Sequence, residues 1–164
     1  QPVAVNAVNV NLHSTSALTL GASTVTGNLM ATVDQGDLTQ TAPLTVGGKT
    51  DLITATGNVA LTNAANSFAD LVSVDTAGTL KLTSGGPLTL GQVKTVGDTD
   101  LKSNGKLDLG TSVFGAKVNA NSGGFDIVQT QRLDDGGSAT FKKVTSNIFY
   151  RCPNFNFIIF IRPK

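Results

Sequence analysis

The sequence predicts an all-β chain wound as a parallel β-solenoid of roughly six coils, and three observations carry that prediction. A short phrase recurs: Leu18-Thr-Leu-Gly21 returns as Leu44-Thr-Val-Gly47 and again as Leu88-Thr-Leu-Gly91. The choice of polar residues disfavours helix, because the 11 acidic residues are all Asp, Glu is absent, and Thr, Asn and the 18 Gly favour strands and turns. The chain also resembles itself. A shift of 70 positions lays Val10 and Leu12 on Leu80 and Leu82, Leu18 and Leu20 on Leu88 and Leu90, and Gly21 on Gly91. A unit too short to bury its own apolar face, copied along a chain, builds its core by stacking on its neighbours.

The elements follow from period-two alternation, which puts Leu and Val on one face and Thr, Asn, Lys or Asp on the other. Strands are expected at Val8–Leu12, Leu18–Leu20, Leu44–Val46, Val59–Leu61, Leu71–Val74, Leu80–Leu82, Leu88–Leu90, Leu107–Leu109 and Phe125–Ile127. Gly57, Gly78, Gly86, Gly105 and Gly124 stand just before such runs, where positive φ or a tight corner is expected of them. Many short strands also suit an antiparallel sandwich. A sandwich has no reason to repeat itself at a fixed shift, however, so the solenoid is preferred. The 70-residue unit reads as about three coils of 20–25 residues, and six coils at about 4.8 Å each make a rod of roughly 30 Å.

Residues 1–130 are assigned to the solenoid and residues 131–164 to an aromatic-rich tail. Five of the eight Phe and the single Tyr fall in the last 24 residues. The run Asn154–Ile161 is a strong strand former with an aggregation-prone edge. Two readings stand for this tail: a cap over the last coil, as repeat proteins require, or sequence foreign to the repeat.

Composition narrows the function. A net charge of +1, with no Lys or Arg in the first 48 residues, gives no electrostatic footprint for nucleic acid. Cys152 is the only cysteine, which excludes an intramolecular disulfide. The chain shows no basic-then-apolar leader and no apolar run of about 18 residues. Gln1, leading directly into strand-like sequence, reads as a cut inside a longer protein.

Three segments taken in order, Ser16–Leu29, Gln35–Gly48 and Gly57–Phe68, resemble the repeat region of bacterial filamentous-haemagglutinin-like adhesins. In that family a phrase such as Asn-Asp-Phe opens a coil, and Ala-Leu-Thr-Leu-Gly and Leu-Thr-Val-Gly-Gly follow. Here the opening phrase is Asn66-Ser-Phe68, with Ser67 where Asp is commoner. The resemblance covers about residues 8–130. It implies a right-handed parallel β-helix within a very long secreted fibre on a Gram-negative cell surface, exported by two-partner secretion or an autotransporter route. The implied partners are an outer-membrane transporter during export and a host-surface glycan or protein receptor. The family's amino-terminal secretion domain finds no match in these residues, and residues 131–164 depart from the pattern.

Parallel β-helices also carry polysaccharide lyases and hydrolases, which need paired carboxylates, often beside a basic residue. Asp98, Asp100 and Lys102, spaced two apart, form the best such trio. A solvated outer strand face explains them more simply. Asp34 and Asp37 read as turn residues, and Asp134-Asp135-Gly-Gly lacks the ligand spacing of a calcium loop. His13 is the only histidine and no nucleophile elbow accompanies it, which argues against a two-histidine metal site and a Ser-His-Asp triad. Gly47-Gly48-Lys49-Thr50 lacks the upstream glycine of a phosphate loop. Asn58, Asn63, Asn66, Asn104, Asn119 and Asn121 offer a donor and an acceptor each, suited to sugar hydroxyls or, more simply, to caps and ladders between coils. The sequence therefore predicts a structural and adhesive segment with no catalysis and no cofactor or metal. A β-helix lyase or hydrolase is the alternative, as is a structural fragment with no activity of its own.

Overall fold

A computed structural model describes residues 1–129, 133–135, 139–142, 148–151 and 158–161. Among them there is no helix, and the chain is a parallel β-solenoid of about six coils. One face holds β1 (Asn6–Ala7), β4 (Ser23–Val25), β7 (Leu44–Val46) and β10 (Ser67–Phe68). A second holds β2 (Val10–Ser14), β5 (Leu29–Val33), β8 (Thr50–Thr54), β11 (Val72–Thr76), β13 (Leu88–Thr95), β16 (Thr111–Phe114) and β19 (Leu133–Asp135). The third holds β3 (Leu18–Leu20), β6 (Leu38–Gln40), β9 (Val59–Leu61), β12 (Leu80–Ser84), β14 (Thr99–Ser103), β17 (Val118–Asn121) and β20 (Ala139–Lys142). In the later coils, β15 (Leu107–Asp108) and β18 (Ile127–Val128) build on the first residues of β13, whose last residues pair with β16. The strands β19 and β20 continue the parallel faces past residue 130, and β21 (Ile148–Arg151) pairs antiparallel with β22 (Ile158–Ile161).

Parallel strands need a long crossover, and here the rest of the coil supplies it. Stacked partners lie from 17 residues apart, at Val3 and Leu20, to 22, at Thr45 and Ser67. The coil is thus shorter than the sequence suggests, and the 70-residue shift is out of phase with it. Leu18 stacks on Leu38, Val59 and Leu80, so three coils return Leu18 to Leu80 and not to Leu88. Val10, which the shift lays on Leu80, belongs to the second face and Leu80 to the third. The phrase Leu-Thr-Leu-Gly is therefore a strand-and-corner phrase used on different faces, in β3, β7 and β13. Its Leu and Val residues all point inward, as expected. Its glycines differ, since Gly91 lies inside β13 and turns nothing.

The core is a set of inward columns. Ala31, Leu52, Val74 and Val93 form one, and Leu61, Leu82, Leu101 and Ala120 another, all buried. Not every threonine lies outside. Thr54, Thr76, Thr95 and Thr99 are buried at strand ends beside the corners, where their hydroxyls find partners. Thr54 Oγ1 donates to the Gly57 carbonyl at 2.9 Å, Thr76 Oγ1 donates to the same carbonyl at 2.8 Å, and Thr95 and Thr99 bond each other at 3.0 Å. Two expected strand starts fail because the chain there is a corner: Val8 is 66% exposed and Phe125 50% exposed.

Thr50 is the exception among the buried hydroxyls. It sits between Leu29 and Val72 in an aliphatic column, is 0% exposed, and its Oγ1 has no partner among the described residues. An unpaired buried hydroxyl costs about 1–3 kcal/mol, whereas valine keeps the shape and the strand preference. Thr50→Val is therefore expected to stabilise the chain by about 1 kcal/mol, read as a higher urea midpoint.

The glycines act mainly through space between coils. Of the five expected to supply positive φ, only Gly124 does, at 104°. At Gly57 an added Cβ would fall inside the Gly36 carbonyl, and at Gly105 it would lie 2.6 Å from the Pro87 nitrogen. At Gly78 it would lie 2.5 Å from Asn58 Oδ1. Gly86 faces open space. Coils approach so closely at the corners that the missing side chain matters more than the freedom of φ.

Candidate functional site

The corners and the outer third face carry the polar chemistry. At one corner Asp37, Asn58 and Thr79 stack: Asp37 Oδ1 accepts from the Asn58 backbone N–H at 2.8 Å, and Asn58 Oδ1 accepts from the Thr79 backbone N–H at 2.8 Å. Another corner repeats this, with Asn9 Oδ1 accepting from Asn28 N and Asn28 Oδ1 from Lys49 N, each at 2.9 Å. Wherever Asn carries the rung, glycine precedes the donor above it, at Gly27, Gly48 and Gly78, and the Asn oxygen occupies the space its Cβ would take. Side-chain carbonyls thus join coils where the β-ladders pause.

Asn66 works inside. It is 0% exposed, with Oδ1 accepting from Gln40 Nε2 at 2.8 Å and from Leu44 N at 2.9 Å. Its Nδ2 donates to Gln40 Oε1 at 2.8 Å and to the Thr83 carbonyl at 3.1 Å. Asn63 caps its own turn through Ala65 N, and Asn121 does the same through Gly123 N. Of the six asparagines weighed for sugar binding, Asn58, Asn63, Asn66 and Asn121 thus hold the fold through their side-chain oxygens. Asn119 and Asn121 lie on strand β17 rather than at corners.

The expected trio Asp98, Asp100 and Lys102 is partly assembled. Asp98 lies in the corner before β14, where its Oδ1 accepts from Lys117 N at 3.2 Å. Asp100 and Lys102 both point outward from β14, with Lys102 Nζ 3.3 Å from Asp100 Oδ2, and Asn119 Nδ2 donates to Asp100 Oδ1 at 3.2 Å. Asp98 and Asp100 line one shallow depression of about 530 Å³ that runs over four coils, together with Thr79, Lys81, Lys117, Asn119 and Thr140. Lys102 is not part of its lining.

Sequence reasoning missed Lys81, Lys117 and Thr79. They lie 17 to 21 positions from the carboxylates they join, and only strand register reveals that Lys81, Asp100 and Asn119 stand in one outward column. Neither lysine has a carboxylate partner among the described residues. Both Asp98 and Asp100 already hold donors from the next coil, so the depression offers chiefly two ammonium groups, the Asn119 carbonyl and the Thr79 hydroxyl. That set can hold hydroxyls and weakly charged groups.

The remaining candidates are dispersed. His13 Nε2 pairs with Asp34 Oδ1 at 2.9 Å on the exposed surface. Gly47–Thr50 is a corner leading into β8, not a phosphate loop before a helix. Among the described residues no three His, Cys or Asp side chains gather as a metal site. Cys152 and the side chains of Asp134 and Asp135 lie outside the residues described.

Residues 7–75 match a family model described as Repeats of unknown function (DUF5649). The matched stretch runs from β1 into β11, so it takes in the first three coils and the start of the fourth. No curated protein and no solved structure matches the chain.

Proposed function

We propose that this chain is a structural and adhesive segment of a large secreted bacterial surface fibre of the filamentous-haemagglutinin-like kind, exported through an outer-membrane transporter, and that it catalyses no reaction. The observation that carries this reading is the outer third face. Its side chains repeat once per coil at about 4.8 Å, and its depression is shallow, with lysine, aspartate and asparagine head groups set around aliphatic surface. A surface of that kind makes weak contacts whose strength grows with the number engaged. The match to a repeat family agrees with an array built by copying, and the ordered phrases from Ser16 to Phe68 support the fibre. A lyase or hydrolase on the same face would rely on Asp98 and Asp100. Both are engaged in cross-coil bonds, which favours a holding role for them over proton transfer.

The test is retention under flow of beads that carry many copies of the chain, on surfaces coated with host glycans or extracellular-matrix proteins. Retention is expected at high valency and little binding in the monomer. Lys81→Ala combined with Asn119→Ala is expected to reduce retention several-fold while leaving thermal unfolding unchanged. Beads that fail to bind at any valency would reduce the role to that of a stalk.

A further inference from the structure

One corner asparagine is not engaged like the others, and its chemistry differs. Asn104 stands between β14 and β15, is exposed, and is followed by Gly105, the only Asn-Gly pair in the chain. The side chains of Asn9, Asn28, Asn58, Asn63, Asn66 and Asn121 all hold backbone N–H groups or neighbouring amides. The Asn104 side chain makes no such bond among the described residues, although its own backbone N–H is fixed to the Ser84 carbonyl at 3.1 Å. The N–H groups of Gly27, Gly48, Gly85 and Gly97 each donate to the coil below, whereas those of Gly57 and Gly105 have no protein acceptor among the described residues, and of these two only Gly105 follows an asparagine.

We propose that Asn104 is a site of spontaneous deamidation in the folded solenoid. An amide nitrogen attacks the preceding side-chain carbonyl only when it can shed its proton and when no Cβ crowds the approach, and Gly105 meets both conditions. The Gly105 nitrogen bonds to Asn104 Cγ, ammonia leaves with the proton lost from that nitrogen, and a five-membered succinimide closes. Water then opens the ring at either carbonyl, giving aspartate or isoaspartate. The isoaspartyl product lengthens the main chain by one carbon at a corner where Gly105 lies tight against Pro87 and Ser103 Oγ donates to the Gly105 carbonyl at 2.8 Å. Either product places a new carboxylate two residues along the chain from both Lys102 and Lys106. The corner of the fifth coil therefore carries an age-dependent charge that no other corner acquires at a comparable rate.

The chain, incubated folded in mildly alkaline buffer, is digested with trypsin, and the peptide Ser103–Lys106 is followed by mass spectrometry and by isoaspartyl methyltransferase labelling. Conversion at Asn104 is expected to run several-fold faster than at any other asparagine, and within a few-fold of its rate in the urea-unfolded chain. Asn104→Gln is expected to remove the label while leaving the melting temperature unchanged. Conversion confined to the unfolded chain, or faster at another asparagine, would overturn the proposal.

Discussion

Gly57→Ala is expected to destabilise the solenoid by about 3 kcal/mol. The new Cβ would meet the Gly36 carbonyl carbon and oxygen and the Asp37 nitrogen, all backbone atoms of the coil below and all under 3.0 Å away. No side-chain rotation relieves that contact, so the coils must separate. Separation weakens the Asp37 to Asn58 bonds at 2.8 and 2.9 Å and the Leu38 N–H bond to the Asn58 carbonyl at 2.9 Å. Gly86→Ala is the matched control: its Cβ meets nothing within 4 Å and its φ is not positive. It is expected to be neutral or to stabilise by about 0.5 kcal/mol through the unfolded chain. Equilibrium urea unfolding of the two variants checks both values.

Asn66→Ala is expected to cost about 3 kcal/mol or more, by a different route. The side chain fills two acceptor and two donor roles in a dry interior, joining Gln40 of one coil, Leu44 of the next and Thr83 of a third. Removing it orphans the buried Leu44 N–H and takes one partner from each end of the Gln40 amide, which keeps the Ala42 carbonyl at 2.7 Å and the Asn63 N–H at 3.3 Å, and unmade buried bonds cost more than made ones contribute. Asn66→Asp is expected to be nearly as damaging, because a carboxylate cannot donate to Gln40 Oε1 or the Thr83 carbonyl. The same unfolding measurement, with Gln40→Ala and the double variant added, separates the pairwise coupling from the sum.

The fold class was legible because the apolar rows are simple. Leu18-Thr-Leu20, Leu44-Thr-Val46 and Leu80-Lys-Leu82 alternate cleanly, and their inward faces are buried. The second face was legible only in part: β2, β11 and β13 were expected, whereas β5, β8 and β16 were not. In Thr50-Asp-Leu-Ile-Thr54 two of the three inward residues are threonines, so alternation of hydropathy fails while alternation of burial holds. On the third face, Thr99-Asp-Leu-Lys-Ser103 likewise shows one apolar residue among three inward ones. Register was the larger gap. A three-residue strand phrase fits any face, which is why a shift of 70 positions aligned Val10 with Leu80 although they lie on different sheets. The Asn and Gly spacing carried the true period: Asn9 and Asn28, then Gly57 and Gly78, are separated by one coil each.

The candidate site was half legible for the same reason. Asp100 and Lys102 are neighbours along one strand, and sequence placed them on one face. Lys81 and Lys117 join Asp98 and Asp100 only through stacking, and the Asp98 bond to Lys117 N belongs to the corner ladder, which hydropathy does not report. The buried Asn66 was visible as a polar residue in a turn. Nothing in its neighbours Ala65 and Ser67 announced that it faces inward.

The central claim, that this surface holds a ligand without cutting it, is tested most directly by incubating the folded chain with acidic and neutral polysaccharides and measuring their length distribution and reducing ends over time. The account predicts an unchanged distribution with every polymer, including any that the multivalent beads retain. Shorter products that appear with time and vanish in Asp98→Ala or Asp100→Ala would contradict it and assign the depression to a lyase or hydrolase.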